Sequence, residues 1–174
     1  VNFLSSGKEW YGEEMSNLPG RSLTRNFIVD FSSVQQGSTL QIRASCAARS
    51  INTGSRFEIR VNGQLTGQLP INPTGAGPYD LFGQQATVFF TAAGAQASNN
   101  ISFTYVPGSL NAQGWLNWFE VFSRRNISLA GRQQLLFRDW QSVGTSKAEF
   151  VVSGAGSSTQ VWEVTDPSDP LQIP

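Results

Sequence analysis

Residues 56–71 read RFEIRVNGQLTGQLPI, and this stretch decides the fold class. Phe57, Ile59 and Val61 alternate with charged residues, which is the period-2 pattern of a half-buried strand. Asn62-Gly63 follows at once, and this dipeptide tolerates the positive φ angles that a type I′ turn requires. A second strand-like run begins directly after the turn. The stretch therefore predicts a β-hairpin.

The same alternation recurs along the chain, whereas helical periodicity is nearly absent. Runs rich in Val, Ile, Phe and Thr are separated by Gly, Pro and Asn, which is typical of a sandwich or barrel. The expected strands are Asn26–Phe31, Thr39–Ala48, Arg56–Val61, Leu65–Ile71, Ala86–Thr91, Asn100–Val106, Trp115–Ser123, Gln134–Phe137, Ala148–Val152 and Gln160–Thr165. Long loops alternate with tight turns, and Asn72–Gly83 is expected to cross between sheets. We predict an all-β fold: a two-sheet antiparallel β-sandwich of the jelly-roll or galactose-binding-like type.

The length of 174 residues fits one such domain, which we expect over residues 1–165. Residues 166–174 (DPSDPLQIP) are expected to form a linker with few internal hydrogen bonds, because proline supplies no backbone donor and stiffens the chain. The sequence shows no signal peptide, and no apolar run approaches the ~18 residues of a membrane helix. We interpret the chain as a piece of a larger exported protein, with a further domain after the linker.

Composition excludes most catalytic chemistry, because the chain has no histidine and only one cysteine. A serine or cysteine nucleophile usually relies on imidazole as its base, and zinc sites use His and Cys. Cys46 lies in the alternating segment TLQIRASCAARS on the face of Ile42, Ala44 and Ala48, so we expect a buried thiol. Asp166 and Asp169 carry oxygen ligands that could help to hold calcium, but their spacing matches no EF-hand loop. We expect no catalysis, no metal and no cofactor.

Charge is low and balanced, with twelve basic and twelve acidic residues, and only 14% of residues are charged. Nucleic acids and acidic membranes favour a basic protein surface. We therefore expect no nucleic-acid partner. Abundant Ser, Thr, Asn, Gln and Gly suit an exported β-protein.

The first of three tryptophan-containing segments is GKEWYGEE, residues 7–14. Its carboxylates could act as acid and base, or Trp10 and Tyr11 could stack on a sugar ring. The interpretation that we favour is an N-terminal strand that buries Trp10 and leaves the acidic residues in water.

The second segment is WLNWFEVFSRR, residues 115–125. Alternation predicts that Trp115 shares a face with Phe119 and Val121, and that Trp118 points to the opposite face. Because both faces carry large apolar groups, we favour a central strand that is covered on both sides. An exposed aromatic row that binds a pyranose or a peptide is the alternative.

The third segment is VWEVTDPSDP, residues 161–170. As an ordered set, the three segments resemble the β-rich region that precedes the catalytic domain in the PorU family of gingipain-like cysteine peptidases, which remove C-terminal sorting signals in bacterial type IX secretion. The resemblance implies a location at the outer membrane or cell surface of a Bacteroidetes-type bacterium. It does not carry the family's activity to this chain, which lacks the histidine of the catalytic pair.

The sequence thus leads to a non-catalytic module of a PorU-like sorting peptidase. Its expected role is to scaffold the downstream peptidase domain of the same polypeptide, or to present substrates and secretion-system partners to it. The alternatives are a carbohydrate-binding module and a structural or adhesive surface domain. The candidate binding residues are Trp10, Tyr11, Glu13, Trp115, Trp118, Arg124 and Arg125.

Overall fold

The structure is a computed structural model that describes residues 9–173, except for the side chain of Glu13. It confirms the predicted all-β sandwich: two four-stranded antiparallel sheets face each other, in the orders β1-β8-β3-β6 and β2-β7-β4-β5. Their bounds are β1 Glu13–Met15, β2 Thr24–Asp30, β3 Leu40–Arg49, β4 Ser55–Val61, β5 Gln64–Ile71, β6 Gln84–Ala92, β7 Ser98–Val106 and β8 Gln113–Phe122. Strand β1 pairs with β8, β2 with β7, β3 with β6 and β4 with β5, which is the strand pairing of a jelly roll.

The hairpin predicted at Asn62-Gly63 is confirmed. Val61 pairs with Gln64 across the turn, and the φ angles of 51° at Asn62 and 83° at Gly63 are those of a type I′ turn. The crossover predicted over Asn72–Gly83 is also confirmed, because this loop joins β5 in one sheet to β6 in the other.

The inner faces of the two sheets form one hydrophobic core. The prediction for β3 is confirmed, since Ile42, Ala44, Cys46 and Ala48 are all fully buried there. Aromatic rings fill the space between the sheets. The ring of Phe27 lies 6.1 Å from that of Phe103 on the neighbouring strand and 5.0 Å from that of Phe119 on the opposite sheet.

The predicted alternation along β8 is wrong beyond its first half. The register between β3 and β8 shifts where Ser45 pairs with Trp118 but Cys46 pairs with Leu116, so Asn117 is an extra residue in a β-bulge. Because a one-residue insertion reverses all side chains beyond it, Leu116 and Phe119 both point into the core. Trp115 and Trp118 consequently share the outer face.

From residue 126 onward the described residues form a second compact unit, whereas the expected sandwich extends to residue 165. Among its described residues none is buried. It contains the parallel pair β9 (Ile127–Ser128) and β10 (Val152–Ser153), a one-turn 3₁₀ helix at Trp140–Ser142, and the antiparallel pair β11 (Val161–Glu163) and β12 (Leu171–Ile173). Within residues 9–173, no helix is long and apolar enough to cross a bilayer.

Three expectations for this region differ from the structure. The strand expected over Gln134–Phe137 is absent, and of the strand expected over Ala148–Val152 only the last residue is in a strand, Val152–Ser153. The stretch 166–174 is more than a spacer, because Leu171–Ile173 pairs with Val161–Glu163. Alternating apolar residues pair readily once a turn brings them together, and Asp166 forms such a turn by accepting a hydrogen bond from the Ser168 amide at 2.9 Å.

Gly114 in β8 tests the packing of the core. A Cβ atom on Gly114 would lie 2.6 Å from the Tyr105 ring and 2.8 Å from the Phe57 ring, whereas a Cβ on Gly12 would have no atom within 4 Å. Because overpacking typically costs about 1–3 kcal/mol, Gly114→Ala should lower the free energy of unfolding by that amount in urea titrations. Gly12→Ala is the matched control and should be neutral. Equal stability of the two variants would show that the inner face of β8 is loosely packed.

Candidate functional site

The outer faces of the two sheets differ sharply in chemistry. On the β2-β7-β4-β5 sheet, β4 carries a charged row in which Glu58 pairs with Arg56 at 3.1 Å and with Arg60 at 3.4 Å. The outer face of the β1-β8-β3-β6 sheet instead carries aromatic side chains next to arginines and neutral polar groups. Because exposed aromatic patches on soluble proteins usually mark binding surfaces, this aromatic face is the candidate site.

One end of the aromatic face is a small cluster outside the main core. Tyr11 and Trp115 pack on Ala47 of β3, and Trp115 is only 7% exposed. The Tyr11 hydroxyl donates a hydrogen bond to Glu9 at 3.0 Å. Burial, reinforced by this carboxylate, raises the pKa of Tyr11 well above its ordinary value. Tyr11 is therefore a neutral hydrogen-bond donor at physiological pH.

Two arginines lie over aromatic rings on this face. The Arg49 guanidinium is 4.9 Å from the centre of the Phe82 ring, and that of Arg43 is 5.1 Å from the centre of Trp118. Arg43 also pairs with Glu120 at 3.9 Å. These are cation–π contacts, which hold a flexible side chain in a fixed plane. The face consequently presents ordered guanidinium groups, with Phe89 of β6 exposed beside Arg43.

Three of the seven candidate binding residues lie on the aromatic face: Tyr11 and Trp115 pack together on Ala47, and Trp118 lies opposite Ser45. The expectation that Trp10 is buried is wrong: Trp10 is 75% exposed, and Tyr11 is the buried residue of the pair. One side chain of a Trp-Tyr pair in extended chain must point outward, and the cluster with Trp115 selects Tyr11.

The other candidates are not assembled with this cluster. Glu13 pairs through its backbone with Leu116, while its side chain, like residues 7 and 8 of the first segment, lies outside the described part of the chain. Arg124 and Arg125 follow the far end of β8, roughly 30 Å along the strand from Trp115. There the Arg124 carbonyl accepts a hydrogen bond from the Gln35 amide at 2.8 Å.

Four residues of this face are not among the seven candidates predicted from the sequence: Arg43, Arg49, Phe82 and Phe89. Phe89 shares a face with Thr87 and Thr91 in the predicted strand Ala86–Thr91, so the pattern indicates its outward direction. The pattern does not indicate the position of Phe82, because this residue lies in the loop between β5 and β6 and not in an alternating strand.

Cys46 lies on the opposite side of the sheet from this face, in the hydrophobic core. Desolvation by burial raises the pKa of its thiol to about 12. Among the described residues, no group of three or more acidic or cysteine side chains is arranged to hold a metal ion. The groups that the aromatic face presents are ring faces, guanidinium groups and the Tyr11 hydroxyl.

The fold and the aromatic face together define the class of this chain: a jelly-roll β-sandwich in which one sheet has an aromatic outer face. No protein-family model and no curated protein matches the sequence. Among solved structures, the fold is similar to part of dimeric latent PorU from Porphyromonas gingivalis, with a TM-score of 0.73 and 17% identity over 95% of this chain. The chain spans only 16% of that PorU chain. The resemblance predicted from the three tryptophan segments is thus confirmed as a likeness of fold.

A second solved structure, the EclA C-terminal domain described as a sugar-binding protein, matches with a TM-score of 0.32 and 12% identity. That match covers 68% of this chain and 86% of the other. A likeness this low carries no argument about either fold or ligand.

The accessibility of Cys46 yields a direct prediction. Because the pKa of the folded thiol is about 12, the thiolate needed for disulfide exchange is scarce at about pH 8. Native protein should react very slowly with Ellman's reagent, whereas protein unfolded in guanidinium chloride should react at once. Below the pKa of the unfolded thiol, Cys46 is protonated in both states and its full contribution to stability is present. Above that pKa the unfolded state loses the proton more readily, so the free energy of unfolding declines as the pH rises towards 12. Rapid labelling of the native protein would contradict the buried position.

The two tryptophans of the aromatic face should behave differently. Trp115→Ala should cost about 3–5 kcal/mol of stability, because it empties a buried site. Trp118→Ala should cost less, about 1–2 kcal/mol, since the side chain is partly exposed and loses mainly its contact with Arg43. Thermal and urea unfolding of the single variants gives the comparison. A larger loss of stability for Trp118→Ala than for Trp115→Ala would contradict the bulge at Asn117, because it would place Trp118 in the core.

Proposed function

We propose that this chain is a non-catalytic β-sandwich module of a PorU-like type IX secretion sorting peptidase. It scaffolds the peptidase domain of the same polypeptide, or presents substrates and partner proteins to that domain, at the outer membrane or cell surface. The observation that carries the proposal is the fold similarity to PorU across 95% of the chain. The absence of histidine and the burial of Cys46 agree with a role in binding.

The aromatic face is the surface that we assign to this role. It combines Arg, Trp and Phe side chains, which are the residue types enriched at the energetic centres of protein interfaces. On the opposite sheet, Arg56 and Arg60 share the carboxylate of Glu58, and this charged row suits contact with solvent.

A carbohydrate-binding module is the second candidate, favoured by exposed rings such as Trp10 and Phe89 next to neutral polar side chains. Two observations weigh against it. Trp115 and Tyr11 are buried in their cluster, and Arg43 and Arg49 each lie over a ring that a sugar would need. A structural or adhesive surface domain is the third candidate, and no particular residue favours it.

The proposal is tested in the bacterium that carries the gene. The gene should encode a caspase-like domain with a His–Cys pair on the same polypeptide as this module. Phe89→Ser on the aromatic face should then slow the removal of sorting signals about fivefold, as expected for loss of ~1 kcal/mol at an interface. The readout is the ratio of unprocessed to processed secreted protein.

Ile28→Ser is the matched control, because Ile28 is 66% exposed on the outer face of the other sheet and Phe89 is 58% exposed on this one. Both variants should melt like the wild type, and only Phe89→Ser should affect processing. A gene without a peptidase domain would overturn the assignment to a sorting peptidase. If both variants process secreted proteins equally well, the aromatic face has no role in the removal of sorting signals.

A further inference from the structure

The loop between β5 and β6 presents a second, smaller surface next to the Trp115 cluster. Its end carries Tyr79, Leu81 and Phe82, and the Phe82 ring lies 6.4 Å from that of Trp115. Together with Arg49, which lies over Phe82, these three side chains form what we call the Tyr79 patch. Tyr79 is fully exposed, and Leu81 and Phe82 are about half exposed.

Hydrogen bonds fix the shape of the loop. At its base, the Thr74 amide donates to the Ser50 carbonyl at 2.9 Å, and the Thr74 carbonyl accepts from the Asn52 amide at 2.9 Å. At its tip, the Asp80 carboxylate accepts from the Gly77 amide at 2.6 Å. A loop ordered in this way loses little conformational entropy on binding. Tyrosine on such a loop supplies a large contact area with few rotatable bonds.

Arg49 gives the patch its charge. Within the described residues, Arg21, Arg43, Arg56 and Arg60 each lie within 4 Å of a carboxylate, whereas Arg49 has no such partner. Stacking on Phe82 holds the guanidinium in one plane, and a guanidinium stacked in this way keeps the N–H groups along its edge available. An edge of this kind binds a carboxylate with two parallel hydrogen bonds.

We propose that the Tyr79 patch binds an extended protein segment in which an Asp or Glu side chain stands next to an apolar side chain. The carboxylate binds the edge of the Arg49 guanidinium, and the apolar side chain packs on Tyr79 and Leu81. This inference rests on the proposed function, since it specifies the class of partner that the module presents or scaffolds.

Two observations narrow the ligand to this chemistry. A sugar needs a bare ring face, whereas Arg49 already covers one face of Phe82. A terminal carboxylate is usually captured by free backbone amides, but at the tip of this loop Asp80 already occupies the Gly77 amide. A side-chain carboxylate on an extended segment remains as the group that fits.

The test uses the full chain and two synthetic hexapeptides, Ac-Ala-Leu-Phe-Glu-Val-Ala-NH₂ and its analogue with Gln in place of Glu. NMR titration follows the Arg49 side-chain signal and the amides of residues 79–82. The Glu peptide should shift these signals in a saturable manner, and the Gln peptide should bind about tenfold more weakly, because it lacks the charge-assisted pair.

Variants of the chain test the same contacts from the side of the protein. Arg49→Gln should weaken binding of the Glu peptide about tenfold and remove the difference between the two peptides. Arg49→Lys should retain part of the affinity for the Glu peptide, since lysine keeps the charge but lacks the planar edge of the guanidinium. Tyr79→Ser changes a fully exposed side chain, so it should fold normally and still lose affinity. Arg56→Gln, on the opposite sheet, is the control and should bind like the wild type.

Equal binding of the Glu and Gln peptides would overturn the inference, as would shifts that map away from the patch. Binding only by a version with a free C-terminal carboxylate, or displacement of the peptide by cellohexaose, would also overturn it. None of these results bears on whether the gene encodes a peptidase domain or on processing by Phe89→Ser, so the proposed function is judged separately.

Discussion

The bulge at Asn117 is the constraint on which the candidate site depends. A regular strand would place Trp115 and Trp118 on opposite faces of the sheet, and one of them would then compete with Phe119 for the core. The extra residue lets Leu116 and Phe119 both face inward, so that the two tryptophans share the outer face. The bulge has a visible cost, because the buried Nδ2 atom of Asn117 has no hydrogen-bond partner in the described part of the chain.

The aromatic face in turn depends on small residues beneath it. Ser45 and Ala47 of β3 are fully buried although they point outward, because the side chains of neighbouring strands close over them. The Gln85 side chain donates to the Ser45 hydroxyl at 2.8 Å, and Trp115 covers Ala47. The outer face is therefore a packed second layer, and it holds its arginines and rings in place as a core does.

The sequence predicted what depends on local periodicity and turn chemistry. The Asn62-Gly63 hairpin, the crossover after Ile71 and the inward thiol of Cys46 all follow from neighbours along the chain. The choice of Tyr11 over Trp10 and the bulge at Asn117 depend instead on contacts with distant strands. The boundary between the two compact units, at residues 125 and 126, has the same origin. The alternating sequence pattern continues beyond this boundary, but none of the described residues there is buried. For the same reason the stacking of Arg49 on Phe82, which orders the Tyr79 patch, left no sequence signal.

The wiring of the jelly roll has a consequence for the order of events during folding. Glu13–Met15 pairs with Gly114–Leu116, so the sheet that carries the aromatic face closes with a contact between residues about a hundred positions apart. Within the described part of the sandwich, β4 and β5 are the one pair joined by a tight turn, and the pairs β3-β6, β2-β7 and β1-β8 are increasingly distant in sequence. Topologies of this kind fold slowly, because loop-closure entropy is lost before most native contacts form. A chain synthesised from its N-terminus therefore cannot form the aromatic face until β8 has emerged, because β8 pairs with both β1 and β3.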